Sequence, residues 1–289
     1  MTQELCMVIV FALAAAVLYG SADFLGGAVS RRTRALSVLT VSAPAGAILL
    51  VAAALAAGGP LPASGLSWAA AGGAIGGVGL IIFYAGLAAG PMRVVAPVSA
   101  LVSTLLPVGV AVATGERPGL QVYLGGVICL VATVLVSTET GSGKGVSAHP
   151  ATLRGLAYGT GAGVAFGMFF LFLKYAGTSG VLWPSAISRT SGAVVMLGVA
   201  AWAAAPPAWR GSSPRLLAGA IASGLLDAAA NVCYVLATRA GLFGIAVVLT
   251  SLYPGVTVLL ARLVLGERMR PLQVAGLLLA IAGIAAVSV

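Results

Sequence analysis

Residues 89–117 read AGPMRVVAPVSALVSTLLPVGVAVATGER, and residues 240–268 read AGLFGIAVVLTSLYPGVTVLLARLVLGER. Each opens on Ala-Gly, runs through an apolar stretch of spanning length and closes on Gly-Glu-Arg, at 115–117 and 266–268. Leu101 and Leu252 also correspond without gaps, and each segment is followed by Leu-Gln-Val, at 120–122 and 272–274. One long apolar unit therefore occurs twice, once in each half of the chain. That repetition decides the architecture.

Composition identifies the solvent. Apolar types make up 60% of the 289 residues and charged types 7%, whereas a soluble domain carries about 25% charged residues. Mean hydropathy is +1.11. So apolar a surface faces lipid. A stretch of about 20 apolar residues crosses the hydrocarbon core as a helix, and ten segments meet that length. They are 5–29, 35–57, 67–89, 92–114, 119–137, 153–177, 181–205, 215–239, 242–265 and 271–288. The first opens with Glu4 and no cation, so it is read as a retained span rather than a signal peptide. The expected fold is all-α and integral to the membrane, with ten transmembrane helices.

Between the fifth and sixth segments lies the most polar stretch, 138–152. It divides the chain into a first repeat over 1–140, a linker over 141–152 and a second repeat over 153–289. Five spans is an odd number, so the second half enters from the opposite side and the repeats are inverted. Such repeats surround a central cavity in many secondary transporters. Weaker correspondences support the pairing: Val17 and Gly20 with Val164 and Gly167, Tyr19 with Phe166, and Ser42 and Gly46 with Ser188 and Gly192. Glycines at four-residue spacing, Gly159/Gly163/Gly167, Gly72/Gly76 and Gly73/Gly77, read as close-packing faces.

Several classes are excluded. The net charge of +9 is scattered between apolar runs, so no nucleic-acid footprint forms. Gly141-Ser142-Gly143-Lys144-Gly145 lacks the Ser or Thr after Lys that a phosphate loop needs, and reads as a flexible linker. Cys6, Cys129 and Cys233 read as small buried side chains, and the lone His149 as a solvated linker residue. No metal site or cofactor is expected. A membrane-embedded enzyme acting on a lipid-linked substrate is the alternative, but six acidic residues and one histidine leave little to build it with. A scaffold would need polar domains for its partners, and none is present.

The repeats, the Gly-Glu-Arg endings with Gln121/Gly125 and Gln273/Gly276, Leu252-Tyr253-Pro254, and Tyr19-Gly20-Ser21-Ala22-Asp23-Phe24-Leu25-Gly26-Gly27 followed by Ser30-Arg31-Arg32 resemble the EamA-like transporters of the drug/metabolite transporter superfamily, bacterial ten-helix type. The resemblance implies a monomeric carrier of the bacterial inner membrane. Members move amino acids, sugars, nucleotide derivatives or drugs, many outward. Two departures stand: Ser103 where the second repeat has Pro254, and Ala43 where the family's arginine is met by Arg189 in the second repeat.

Charges inside spans mark the candidate site, because each costs about 2.5–3.5 kcal/mol or more at the bilayer centre. Asp227 lies midway between Arg215 and Arg239, with Asn231 one turn away on the same face. Arg189 falls at a comparable depth in the preceding span, so the two can pair. Two readings stay open: a substrate-binding or proton-coupling pair, and a fixed strut. Asp23 is a cavity-lining or gate candidate, and Tyr84 and Tyr234 are cavity-lining or packing residues. Arg262 and Lys174 sit near span ends and are expected to snorkel. Glu116 and Glu267 are expected to favour the dipole of the helix that follows each. The expected partners are a small-molecule substrate, the bilayer and protons.

Orientation rests on the cations. Arg31, Arg32, Arg34, Arg93, Lys144, Arg154, Arg210, Arg215, Arg268 and Arg270 fall on the side opposite the N-terminus; Arg117, Lys174 and Arg239 fall on the N-terminal side. The positive-inside rule puts both termini outside, whereas the resemblance implies both inside. The charge count belongs to this sequence and is preferred. A reporter active only in the cytoplasm, fused to the C-terminus, is therefore expected to be silent; an active reporter puts the termini inside.

Overall fold

The computed structural model describes the chain except residues 1, 34, 59–60, 62–63, 90–91, 118, 138–149, 178–179, 204–212, 267–269 and 289. The linker motif with Lys144, His149 and Glu267 lies outside the described residues. Among the described residues, eleven α-helices follow in order: α1 Thr2–Ser30, α2 Ala35–Ala56, α3 Leu66–Ala89, α4 Met92–Ala113, α5 Leu120–Ser137, α6 Pro150–Gly177, α7 Leu182–Trp202, α8 Pro214–Ala240, α9 Phe243–Thr250, α10 Tyr253–Leu265 and α11 Pro271–Ser288. Helix is the natural choice in lipid, where each backbone group must find its partner within its own segment.

Among the described residues, seven helical segments are long and apolar enough to cross a membrane, with Phe243–Leu265 taken as one. The apolar parts of α5 and α11 are shorter, Leu120–Val136 and Pro271–Val287. α7 is not among the seven; Ser185, Ser188, Arg189, Thr190 and Ser191 crowd its first half with polar side chains.

The ninth expected span, 242–265, is interrupted. α9 ends at Thr250 and α10 begins at Tyr253. Pro254 cannot donate to the Thr250 carbonyl four residues earlier, and its ring crowds that oxygen. Ser251 turns its hydroxyl back onto the Val248 carbonyl at 2.7 Å. Pro107 sits inside the continuous α4, so proline permits such a break without by itself imposing one.

Small residues set the packing. A Cβ placed on Gly224 of α8 would run into the Ser42 carbonyl of α2, and one on Gly73 of α3 would run into the Ser188 carbonyl of α7. Gly46 in turn faces the Gly224 carbonyl, and Gly192 faces that of Gly73. The same Ser-x-x-x-Gly clasp on a glycine thus occurs in both halves. Other contacts repeat in the same way. α1 runs antiparallel to α8, with Gly26 at Ser223 and Val29 at Gly219. α3 runs antiparallel to α6, with Gly72 at Phe172 and Gly86 at Tyr158. α4 lies parallel to α6 along Gly159, Gly163 and Gly167, and α10 meets α1 at Gly20. α5 pairs antiparallel with α11, where Gly125 and Gly283 face each other.

Hydroxyls add cross-links between helices. Ser223 donates to the Ala22 carbonyl at 2.8 Å and Ser191 to the Ala70 carbonyl at 2.8 Å. Of the cysteines, Cys129 is buried and Cys233 half-buried, but Cys6 is exposed, because it lies on the outer side of α1, away from the buried Val8; the expectation that it is buried is corrected.

Gly73→Ala and Gly224→Ala are each expected to lower the thermal stability of the purified protein by about 2 kcal/mol or more, since backbone rather than a flexible side chain blocks the new methyl. Gly109→Ala and Gly198→Ala, whose Cβ positions meet nothing within 4 Å, are expected to change it little. Equal effects at all four positions would remove the clasps as the packing constraint.

Candidate functional site

The polar groups gather where α1, α7, α8 and the α9–α10 break meet. Arg189 of α7 and Asp227 of α8 form an ion pair through Nη2 and Oδ2. Asn231, one turn along α8, is buried. Its amide nitrogen donates to the Asp227 carbonyl at 3.1 Å, and its Oδ1 accepts from the Tyr19 hydroxyl at 2.6 Å. Tyr19 is the link to α1: its ring stands edge-on to Phe170 at 6.3 Å and to Tyr253 at 6.2 Å. Tyr253 opens α10 just past the break, so the interrupted helix faces this network.

The ion pair leaves Arg189 incompletely satisfied. Its Nε is buried and has no hydrogen-bond partner among the described residues. Buried polar atoms are nearly always paired, so the guanidinium holds donor capacity in reserve.

Asp23 follows Tyr19 by one turn. Gly20 faces α10, and Ala22 and Gly26 face α8, so Asp23 projects between those contacts toward the interior. It is nevertheless exposed, which places it at an opening. The hydroxyls of Tyr84 on α3 and Tyr253 on α10 lie within its electrostatic reach.

Tyr234 stands apart. It is fully buried, and its hydroxyl donates to the Phe170 carbonyl at 3.0 Å. It belongs to a dry layer with Ala15, Leu173, Val235, Phe243 and Val247, which lies between the network and the N-terminal face. Tyr84 is half-buried, edge-on to Phe83 at 6.0 Å. A groove of about 240 Å³ beside Val51, Trp183 and Ile187 lies on a different face of α7 from Arg189. It is almost wholly apolar and suits lipid.

Two acidic and basic residues depart from expectation. Glu116 does not serve the helix that follows it. Its carboxylate accepts from the backbone amides of Phe243 and Gly244, both at 2.9 Å, at the start of α9 in the other half. Lys174 does not snorkel away from the protein: its Nζ lies 3.9 Å from Glu116 Oε1 and 3.9 Å from the centre of the Phe243 ring. Tyr19 and the α9–α10 break are further site components that the sequence did not single out; Pro254 within a long apolar run is a signal shared by Pro107 in the unbroken α4.

The Tyr19–Asn231 bond is open to a double-mutant cycle. Tyr19→Phe leaves the buried Asn231 oxygen without its donor and is expected to cost about 1–3 kcal/mol in thermal stability. The same change in an Asn231→Leu background is expected to cost less, and equal costs in both backgrounds would mean that the bond contributes nothing.

Comparison with known proteins accords with this geometry. No curated protein matches the chain significantly. One solved crystal structure superposes over 96% of this chain and 95% of its own, with a TM-score of 0.76 at 17% identity; that likeness speaks for a shared fold. Residues 153–289 match the profile of the EamA-like transporter family. Through that half the chain is similar to the EamA-like transporter family, and with its apolar helices it is a multi-pass membrane protein.

Proposed function

We propose that the protein is a secondary transporter that carries a small molecule by alternating access between two inverted five-helix halves. The observation that carries this reading is the doubled clasp, Ser42/Gly46 on Gly224 and Ser188/Gly192 on Gly73. Exchange of the halves maps one clasp onto the other, and maps α1 against α8 onto α6 against α3. Two halves able to exchange conformations give two cavities opening to opposite faces. The monomer sits in the bacterial inner membrane and exports an amino acid, another metabolite or a drug.

Arg189, Asp227 and Asn231 form the working unit of the cavity, with Asp23 and Tyr84 near its opening and Tyr234 in the layer that supports it. In the state described, Arg189 is engaged by Asp227 and its Nε remains free. An anionic substrate group takes the place of Asp227 on the guanidinium as the halves move. A carboxylate left alone in a low-dielectric cavity then binds a proton, which ties substrate movement to the proton gradient. Asp23 offers a second carboxylate for the same exchange, with no hydrogen bond or ion pair to a described residue.

Metabolite profiling of overexpressing and deletion cells identifies the exported compound, and its flux is then measured in reconstituted vesicles. Asp227→Asn is expected to stay folded and to lose gradient-driven flux. Full pH-dependent flux by Asp227→Asn would remove proton coupling through this pair. Misfolding of Asp227→Asn and of Arg189→Gln, with recovery in the double variant, would establish the strut.

A further inference from the structure

We infer that α9 is a gate, that Glu116 is its latch and that the Ser251–Leu252 interruption is its hinge. The first amides of a helix have no acceptor within it. Here two of them, at Phe243 and Gly244, are taken by one carboxylate from the other half of the chain. Lys174 at the end of α6 completes the latch, resting on the Phe243 ring and reaching toward Glu116. Beside it, Arg239 Nη1 donates to the Gly177 carbonyl at 2.6 Å and ties the ends of α8 and α6. The ends of α4, α6 and α8 and the start of α9 are thus joined at the N-terminal face.

The element held is short. α9 has 8 residues, and Phe243, Ala246, Val247 and Leu249 are buried. It ends at Ser251–Leu252, where the backbone stays right-handed but the ladder tightens. Leu252 N–H donates to the Leu249 carbonyl at 3.2 Å and Gly255 N–H to the Leu252 carbonyl at 2.9 Å, and Pro254 supplies no donor. A segment latched at one end and interrupted at the other can swing without moving α10. Its inner surface is part of the dry layer that seals the network from the N-terminal face, while Asp23 is exposed toward the opposite end. Opening the N-terminal face requires water to replace the carboxylate at both amides together, so the latch is released as a unit and not gradually.

The inference rests on the alternating-access reading, but its test needs no substrate. Single cysteines replace Ala246, beneath the latch, or Gly27, which is exposed near Asp23, in protein whose native cysteines are removed. A membrane-impermeant maleimide is applied to each face of oriented vesicles. Glu116→Gln is expected to raise labelling at 246 from the N-terminal face about tenfold, the scale of a lost charge-assisted contact, and to lower labelling at 27 from the opposite face. Lys174→Met, which leaves the amide contacts in place, is expected to shift both in the same directions by less. Rates at 246 within twofold of the parent, or a rise at 246 with no fall at 27, would overturn the gate, the latter being general loosening. If Glu116→Gln does not fold, Lys174→Met decides by the same two readings. A chain that passes this test yet shows no flux of any exported metabolite keeps the gate and loses the transport reading alone.

Discussion

Two places where backbone touches backbone govern this molecule. At Gly224 against Ser42 and at Gly73 against Ser188 the helices approach so closely that not even a methyl group fits. Lipid supplies no hydrophobic force to drive helices together, so association depends on close van der Waals contact and on hydroxyls that bridge the helices. The clasps bring α2 onto α8 and α7 onto α3. Once α8 and α3 are fixed, α1 and α6 lie along them, and α10 and α4 follow through Gly20 and through Gly159, Gly163 and Gly167. α5 and α11 close on each other through Gly125 and Gly283.

The packing repeats but the chemistry does not. Arg189, Asp227, Asn231 and Asp23 belong to one polar network and its opening, whereas positions that correspond to them by the sequence repeat are apolar; Ala43 stands opposite Arg189 and Phe170 opposite Asp23. On the transport reading proposed above, near-symmetric packing would keep two arrangements of the halves close in energy, and the asymmetric network would give their cavity one polar wall. The same division separates the two ends. A carboxylate stands exposed toward one face, while a layer of fully buried side chains, secured by Glu116, closes the other.

Much of the fold was legible because lipid imposes simple rules. Apolar runs bounded by Gly, Pro and charges gave helices whose ends lie within a few residues of those expected. The glycine faces could be read because four-residue spacing places small residues on one side of a helix. The Arg189–Asp227 pair was legible from depth alone. What escaped was set by three-dimensional neighbours. Glu116 stands close in sequence to α5, yet its acceptors' natural partners were the unpaired amides of α9, far away in the chain. Tyr19 looked like one aromatic among many until α8 placed Asn231 within 2.6 Å of its hydroxyl. The break before Pro254 could not be inferred from proline alone, since α4 carries Pro107 without one.

The central claim is that equivalent helices in the two halves run in opposite directions through the bilayer. Thr114 closes α4 and Leu265 closes α10 at matching positions of the repeat, and both are exposed. Single cysteines at these positions, with the native cysteines removed, can be challenged in sealed vesicles with an impermeant maleimide. Labelling from opposite faces is the result this account expects. Labelling of both from the same face would contradict it, and with it the exchange of halves on which the transport reading stands.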